Sequence, residues 1–132
     1  MSAVSVPGVK PNPYLSSAIL DGDTLYLSGN VGVDTATGQM VEGSVAERTT
    51  QAMKNIGRVV QAVGMGLGDL VTVTIYLSNY TNDFEPMNQA YIAAFPPGAR
   101  FPARTCIGVA HLPKGTDIEI SCIASKKARS KL

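Results

Sequence analysis

The sequence has few of the residues that metal sites and catalytic triads need. It contains one histidine, His111, and two cysteines, Cys106 and Cys122, among 132 residues. One histidine cannot build a histidine-based metal site or a triad, and we expect His111 to lie on a surface turn. The cysteines form neither a CxxC motif nor a disulfide framework. We therefore expect two reduced thiols in a reducing compartment.

An excess of one charge and long hydrophobic runs are also missing. Eleven basic residues face ten acidic ones, which gives a formal net charge of +1. No overall field then favours nucleic acid or an anionic membrane. No run approaches the roughly 18 apolar residues of a membrane span, and the N-terminus lacks a charged leader. We expect a soluble protein that is not secreted.

The composition suits one compact domain with a hydrophobic core. Apolar residues make up 45% of the chain and charged residues 16%, which argues against disorder. We place this domain at residues 1–125 and a basic C-terminal tail at residues 126–132. The tail holds the one basic cluster of the sequence, Lys126, Lys127, Arg129 and Lys131, which we expect to be solvated.

Two segments have the pattern of helices. Ser44 and Glu47 form a capping box, apolar residues follow at helical spacing, and Gly64 supplies a C-terminal stop. We therefore predict a helix from Ser44 to Gly64. A second helix is predicted from about Asp83 to Phe95, with Pro86 in its first turn.

Five segments have the pattern of strands, and the order along the chain indicates an α+β domain. After an extended N-terminal arm, residues 16–20 and 24–28 predict a hairpin, and residues 30–43 a loop. Residues 70–78 alternate cleanly between apolar and polar side chains. The last two strands are predicted at residues 103–109 and 117–124. The predicted order is strand, strand, helix, strand, helix, strand, strand.

Arg104 and Glu119 are the most informative pair of residues in the sequence. If the last two strands form a hairpin, the antiparallel register places Arg104 opposite Glu119, Cys106 opposite Asp117, and Cys122 opposite Phe101. A guanidinium beside a carboxylate is either a structural ion pair that fixes the register or part of a pocket for a small anion. In either case Glu119 is expected to stay ionised at neutral pH.

Two helices covering one face of a sheet would leave the other face open, and its predicted composition is half apolar. Such faces usually pack against another subunit, which predicts a homo-oligomer with cyclic symmetry and sites in the clefts between subunits. The predicted open face carries Tyr26, Ser28, Thr72, Thr74, Tyr76, Arg104, Cys106, Glu119, Ser121 and Ile123.

Several apparent motifs carry less weight. Gly64, Gly66 and Gly68 form a GxGxG pattern, but it follows a helix and precedes a strand, the reverse of a nucleotide-binding loop. Tyr14 has the character of a packing anchor. Cys106 would be a nucleophile only if its thiol were activated, and Arg104 two residues away keeps that alternative open beside a small buried hydrophobe.

The run FPARTC, followed by GVAHLPKG and DIEI, closely resembles the signature of the RidA (YjgF) family of small imine deaminases. Further similarity covers roughly 120 residues: Asn12-Pro13-Tyr14, Leu27-Ser28-Gly29-Asn30, the helix start after Gly43, and Met87-Asn88-Gln89-Ala90-Tyr91. The resemblance implies a chorismate-mutase-like α+β fold, a mixed sheet with two helices on one face, assembled as a homotrimer with three clefts between subunits. It also implies hydrolysis of 2-imino acids to 2-oxo acids and ammonia without a cofactor or metal.

The resemblance also implies roles for individual residues. Arg104 would hold the substrate carboxylate, and Glu119 would position the attacking water. Tyr14 and the backbone of Ser28 and Gly29 would line the cleft. Two further residues would contribute, Asn88 from its helix and Cys106 through its backbone carbonyl. Because an iminium carbon is a strong electrophile, orientation and a placed water supply most of what the reaction needs.

The chain departs from the family pattern at Ser121, where some relatives carry a second acidic residue, so the electrostatics of the pocket and the size of its substrate are open. Two alternatives remain. One is a non-catalytic trimer that binds small carboxylates as a sensor or chaperone-like module. The other is RNA cleavage with translation inhibition, which family members have been linked to. The sequence argues against the second because it lacks a basic patch and a pair of histidines.

The chain ends in Ser130, Lys131 and Leu132, which match the peroxisomal targeting tripeptide. In a eukaryote this predicts a peroxisomal protein and an import receptor as partner, while in a bacterium the tripeptide has no such meaning and a cytoplasmic location is expected. Amino-acid oxidases of the peroxisome release imino acids, which would give a deaminase its substrate there.

Overall fold

The computed structural model describes residues 1–126. Cys106 and Cys122 are both free thiols, as predicted. The targeting tripeptide and three of the four basic tail residues lie outside the described residues. Within the part that is described, no helix is both long and apolar enough to cross a membrane.

Helix α1 spans Val45–Gln61, and its N-terminus has the predicted capping box. The Ser44 Oγ accepts a hydrogen bond from the Ala46 N–H at 3.2 Å, and the Glu47 carboxylate accepts one from the Ser44 N–H at 2.9 Å. Gly64 follows with a φ of +77°, a left-handed conformation that favours glycine. The apolar stripe of α1 packs into the core.

Helix α2 spans Tyr80–Ala93 and so begins one turn before the predicted start at Asp83. The Asp83 N–H donates to the Asn79 carbonyl at 3.0 Å, which places Asp83 inside the first turn. Pro86 lies inside the helix rather than in its first turn.

The strands are β1 Ser2–Ala3, β2 Ala18–Asp21, β3 Thr24–Leu27, β4 Val33–Asp34, β5 Gln39–Met40, β6 Leu70–Leu77, β7 Ala103–Gly108 and β8 Ile118–Ser125. Six of them form a mixed sheet, the other layer, in the order β1-β2-β3-β8-β6-β7. The β6–β7 pair is parallel and the other pairs are antiparallel. A small separate hairpin, β4–β5, lies in the segment predicted to be loop, and β1 lies in the predicted arm.

The predicted hairpin of the last two strands is wrong. Strand β6 lies between β7 and β8, so Arg104 pairs with Val73 and Glu119 pairs with Tyr76. The connection from β6 through α2 to β7 is a parallel crossover. Strand β7 therefore pairs with one edge of β6 and β8 with the other, and β7 and β8 do not pair with each other. For the same reason Cys106 pairs with Ile75 and not with Asp117, and Cys122 pairs with Val73 and not with Phe101.

The two faces of the sheet differ as predicted for β6 and β8. Alternate residues of both strands are buried in the core with α1 and α2, and Thr72, Thr74, Tyr76, Glu119 and Ser121 are on the open face. Val71 departs from the predicted alternation and is 40% exposed, because an irregularity between Leu70 and Thr72 shifts the register.

Arg104 and Cys106 do not lie on the open face. They pair with the buried residues Val73 and Ile75, so their side chains are on the face that the helices cover. Ala103, Thr105 and Ile107 take the open-face positions of β7 instead. In the predicted hairpin Arg104 and Cys106 shared the open face with Glu119. Pairing with β6 instead puts their neighbours in the sequence on that face, which has the same effect as a register shift of one residue.

Candidate active site

Arg104 lies at the edge of the sheet, against helix α2. The Arg104 Nη1 donates a hydrogen bond to the Asn88 Oδ1 at 2.6 Å. The guanidinium carbon lies 5.0 Å from the centre of the Tyr91 ring and 5.8 Å from that of Phe84. Asn88 and these two rings lie within two turns of one helix. They hold the charge in one place through a hydrogen bond and two cation–π contacts.

The Tyr91 ring beneath Arg104 is 3% exposed, and its hydroxyl has no hydrogen-bond partner among the described residues. Burial raises the pKa of Tyr91 to about 12, against a smaller lowering effect of the Arg104 charge. The tyrosine is therefore neutral at physiological pH. It binds Arg104 through the face of its ring and does not neutralise the guanidinium.

Arg104 is exposed and has no carboxylate as an ion-pair partner within residues 1–126. Between two described residues, the structure contains one ion pair, Arg48 with Asp117, whose Nη2 and Oδ2 are 2.7 Å apart. The structural alternative for Arg104 and Glu119, an ion pair that fixes the register, is therefore wrong. The guanidinium keeps donors available for an anion from solution.

Glu119 lies on the open face and contacts Gly29. A Cβ atom at Gly29 would lie 2.6 Å from the Glu119 Oε2, closer than such atoms approach. Only glycine leaves the carboxylate its present position. Burial raises the pKa of Glu119 above its ordinary value of 4.5. The predicted neighbouring cation is absent here, so burial decides the direction of the shift.

The backbone at the end of β3 positions Gly29 beside Glu119. The Asn30 N–H donates to the Ile120 carbonyl at 2.7 Å, and the Ile120 N–H donates to the Asn30 carbonyl at 2.9 Å. The Ser28 Oγ donates to the Ser16 carbonyl at 2.6 Å. On one side of the glycine Asn30 is therefore held against β8, and on the other side Ser28 is held to the segment before β2.

The structure thus places the predicted site residues in two groups. Arg104, Asn88 and Cys106 lie at the β7 edge on the covered side, whereas Glu119 lies with Gly29 on the open face. Strand β6 separates the two groups, which puts β7 and β8 roughly 10 Å apart. Arg104 and Glu119 of one chain therefore do not face a common small ligand.

Tyr14 joins neither group in the isolated chain. Its side chain is 92% exposed, and its N–H donates to the Asn12 Oδ1 at 2.7 Å. The interpretation of Tyr14 as a packing anchor is wrong for the single chain. An aromatic ring this exposed is available to a ligand or to another copy of the chain.

The environment of Cys106 does not activate its thiol. Burial raises the pKa of Cys106, and the opposing effect of the Arg104 charge is smaller. A nucleophilic thiol needs the opposite shift. The structure favours the small-hydrophobe interpretation of this side chain. The described residues also contain no group of three or more histidine, cysteine or acidic side chains that could hold a metal ion.

Sequence reasoning missed the contacts that arrange Arg104. The spacing of Phe84 and Tyr91 from Asn88 along α2 was the available signal. It also missed the ion pair of Arg48 with Asp117. No pattern in the sequence connects these two residues, which are 69 positions apart.

Comparisons with known proteins agree on one family. The sequence profile of the family described as endoribonuclease L-PSP matches residues 8–126. A human protein named 2-iminobutanoate/2-iminopropanoate deaminase is 41% identical over 124 residues, which cover 94% of this chain and 87% of the human one.

Solved structures have the same fold. The YjgF gene product from E. coli superimposes with a TM-score of 0.88 at 31% identity, covering 96% of this chain and 99% of the other. E. coli TdcF with bound serine gives a TM-score of 0.87 at 27% identity, with the same coverage. The α+β architecture predicted from the sequence is confirmed. This chain belongs to the endoribonuclease L-PSP family, which is the RidA (YjgF) family that its FPARTC segment resembles.

Proposed function

We propose that this protein hydrolyses 2-imino acids, and the enamines in equilibrium with them, to 2-oxo acids and ammonia. The observation that carries the proposal is the Arg104 guanidinium, which is exposed, held by Asn88 and Tyr91, and without a carboxylate partner among the described residues. Such a group suits a small carboxylate. The names of the human relative and of other mammalian relatives support the reaction.

In the proposed reaction Arg104 binds the carboxylate of the substrate, and the Glu119 carboxylate accepts a hydrogen bond from water. The water oxygen bonds to C2, and the C=N π electrons move to nitrogen. A proton passes from this oxygen to the nitrogen, the C–N bond breaks, and the C=O bond forms. The second water proton also passes to the nitrogen, so the nitrogen of the iminium leaves as ammonium and the carbon skeleton remains as the 2-oxo acid. Orientation and the placed water supply most of the acceleration.

We propose that each site forms between two copies of a homotrimer. Arg104 of one copy would face Glu119 and Gly29 of the next, because within one chain these residues are on opposite faces of the sheet. The open face supports association since it exposes apolar side chains, among them Tyr26 and Ile107. Strand β7 is an edge strand, whose free backbone groups also suit an interface.

The remaining predicted residues fit around this arrangement. Tyr14 and the Ser28 backbone would line the cleft on the Glu119 side. Asn88 orients Arg104 through its hydrogen bond and would also contact the ligand, and the Cys106 carbonyl would lie near the ligand on the edge strand. No cofactor or metal takes part in the proposed reaction. If the source is eukaryotic, the tail ending in Ser130, Lys131 and Leu132 would bring the enzyme to the peroxisome through its import receptor.

A second candidate is a trimer that binds small carboxylates without catalysis, as a sensor or chaperone-like module. The bound serine named for TdcF favours it, because serine carries a carboxylate. We do not propose RNA cleavage, although the family description includes it. The sequence has a single histidine, the exposed His111, and so lacks the pair of histidines common in metal-independent ribonucleases.

A competition assay separates these functions. An amino-acid oxidase generates 2-iminopropanoate in the presence of semicarbazide, which traps it, and a deaminase slows the trapping. We expect the wild type to slow it and Arg104→Ala to lose at least about tenfold in rate, the worth of a charge-assisted hydrogen-bond pair. Arg104→Lys keeps the charge without the planar fork and should fall between them.

The matched control is Lys54→Ala, which removes an exposed cation from α1. It should behave as the wild type. Equal activity of wild type and Arg104→Ala would contradict the role of the arginine. If the wild type does not slow trapping but binds serine, the binding candidate replaces the enzyme.

A further inference from the structure

We infer that the pocket beside Arg104 receives the side chain of the imino acid and that Ile92 limits its size. This inference rests on the proposed function and names the substrate class of the same site. The pocket has a volume of about 320 Å³, at the lower end of the range for ligand sites. It is lined by Asn88, Tyr91, Ile92, Phe101, Pro102 and Arg104.

The lining has one cationic end and otherwise mainly apolar walls. A 2-imino acid has a matching shape, because its carboxylate is attached to the carbon from which the side chain begins. With the carboxylate on Arg104, the side chain extends over the Tyr91 ring towards Ile92 and Phe101. No acidic residue is among those that line the pocket. The walls therefore favour aliphatic side chains over cationic ones.

Contacts among aromatic rings fix the wall opposite Arg104. Phe101 is 51% exposed, yet its ring packs edge-on against Phe95 with centres 5.1 Å apart. Phe95 packs in the same way against Tyr91, also at 5.1 Å. Because Tyr91 also lies under Arg104, the same series of rings sets the distance between the cation and the Phe101 wall.

Ile92 is the lining residue whose substitution should leave the packing of the hydrophobic core intact. It follows Asn88 by one turn of α2, which places both on the same side of the helix. Its side chain is 45% exposed, so it forms the rim and not the floor of the pocket. Its truncation would lengthen the pocket without leaving a buried cavity.

The test compares two substrates in the trapping assay, the imino acids made by an amino-acid oxidase from alanine and from leucine. The quantity measured is the ratio of kcat/KM for the leucine-derived substrate to that for the alanine-derived one. We expect Ile92→Ala to raise this ratio about tenfold over the wild type, the size of effect for a few methylene groups in an apolar pocket. Ile92→Phe narrows the rim and should lower it.

The control is Gln89→Ala, a truncation at an exposed position of the same helix, which should leave the ratio unchanged. Equal ratios for wild type, Ile92→Ala and Ile92→Phe would overturn the inference while the activity itself remains. A wild type that hydrolyses neither substrate would instead overturn the proposed function, and the assignment of this pocket with it.

Discussion

Arg104 and Glu119 depend on their surroundings in different ways. Arg104 is held by contacts, a hydrogen bond that it donates to Asn88 and the rings of Tyr91 and Phe84. The position of Glu119 depends instead on free space, because Gly29 has no side chain where the Glu119 carboxylate lies.

Substitution of Gly29 by alanine tests whether this free space is needed to position the Glu119 carboxylate. The added Cβ would lie 2.6 Å from the Glu119 Oε2, so the carboxylate must move and the placed water with it. We expect Gly29→Ala to lower kcat by about tenfold or more while the unfolding transition shifts little. Kinetics and thermal unfolding measure the two quantities.

Gly66→Ala is the matched control for Gly29→Ala. Gly66 has open space around the Cβ position and no left-handed φ, so its substitution should leave kcat unchanged. If Gly29→Ala has wild-type kcat, the position of the Glu119 carboxylate is not important for the reaction.

The raised pKa of Glu119 predicts a pH dependence of the reaction. The carboxylate accepts a hydrogen bond from water only when ionised, so kcat should fall as the pH drops through the pKa of Glu119, which lies above 4.5 because of burial. We expect Glu119→Gln to lower kcat at neutral pH and to remove this acidic limb. A limb of the same midpoint in Glu119→Gln would assign the titration to another group.

The same shift affects stability with the opposite sign. Since folding raises the pKa of Glu119, the folded state holds this proton more tightly than the unfolded chain. The contribution of Glu119 to stability is therefore greatest at acidic pH and decreases as the pH rises through the raised pKa. Ionised Glu119 favours the reaction and disfavours the fold, a conflict that is common at functional sites.

At the scale of elements, the ion pair of Arg48 with Asp117 connects α1 to the start of β8. The Arg48 Nε donates to the Asp117 Oδ1 at 2.7 Å, and its Nη1 donates to the carbonyls of Val41 and Gly43 at 3.2 and 3.0 Å. Asp117 directly precedes the strand that carries Glu119. The pair therefore fixes the beginning of that strand.

Loss of this ion pair should destabilise the fold in a pH-dependent way. Burial acts to raise the pKa of Asp117, but the hydrogen bonds and charge of Arg48 outweigh it and hold the pKa below 3.8. The stabilisation is therefore complete above that ordinary value and is lost as the pH falls through the lowered pKa. We expect Arg48→Met to lower the free energy of unfolding by about 2 kcal/mol at pH 7.

Urea unfolding at several pH values measures this effect. The control is Lys54→Met, a change of the same kind at an exposed position of α1, which should cost little. The difference between wild type and Arg48→Met should shrink below about pH 4. A difference that stays constant down to pH 2 would contradict the assignment to the ion pair.

The two helices and the five longer strands were predictable because their signals are local. Ser44 with Glu47 marks the start of α1, and the alternation of β6 marks a strand with one buried face, apart from the irregularity at Val71. The pairing of β7 was not predictable in the same way. Its alternation is equally compatible with β8 and with β6, and an error of partner moved Arg104 to the wrong face.

For the candidate site, residue identity was easier to predict than arrangement. A guanidinium and a carboxylate were chosen for their chemistry, and both remain the proposed catalytic pair. Their supposed contact was wrong because it depended on long-range pairing. The contact of Gly29 with Glu119 joins positions 90 residues apart and leaves no local pattern.

At the scale of the whole molecule, the fold leaves each half of the proposed site incomplete. Arg104 is exposed at the β7 edge of the sheet, and Glu119 lies on the open face. Neither a lid nor a loop rearrangement within one chain would bring them through the intervening strand β6. In the proposed cyclic trimer the β7 edge of each copy would meet the open face of the next, which would complete each site by repetition.

Complementation between two inactive variants tests this account most directly. Arg104→Ala and Glu119→Gln are unfolded together at equal concentration, refolded and assayed by semicarbazide competition, with each variant refolded alone as control. In random mixed trimers a site has both residues when a Glu119→Gln copy supplies Arg104 to an Arg104→Ala neighbour, so about one quarter of sites should work. The account predicts about one quarter of wild-type activity, and a mixture no more active than its components would contradict it.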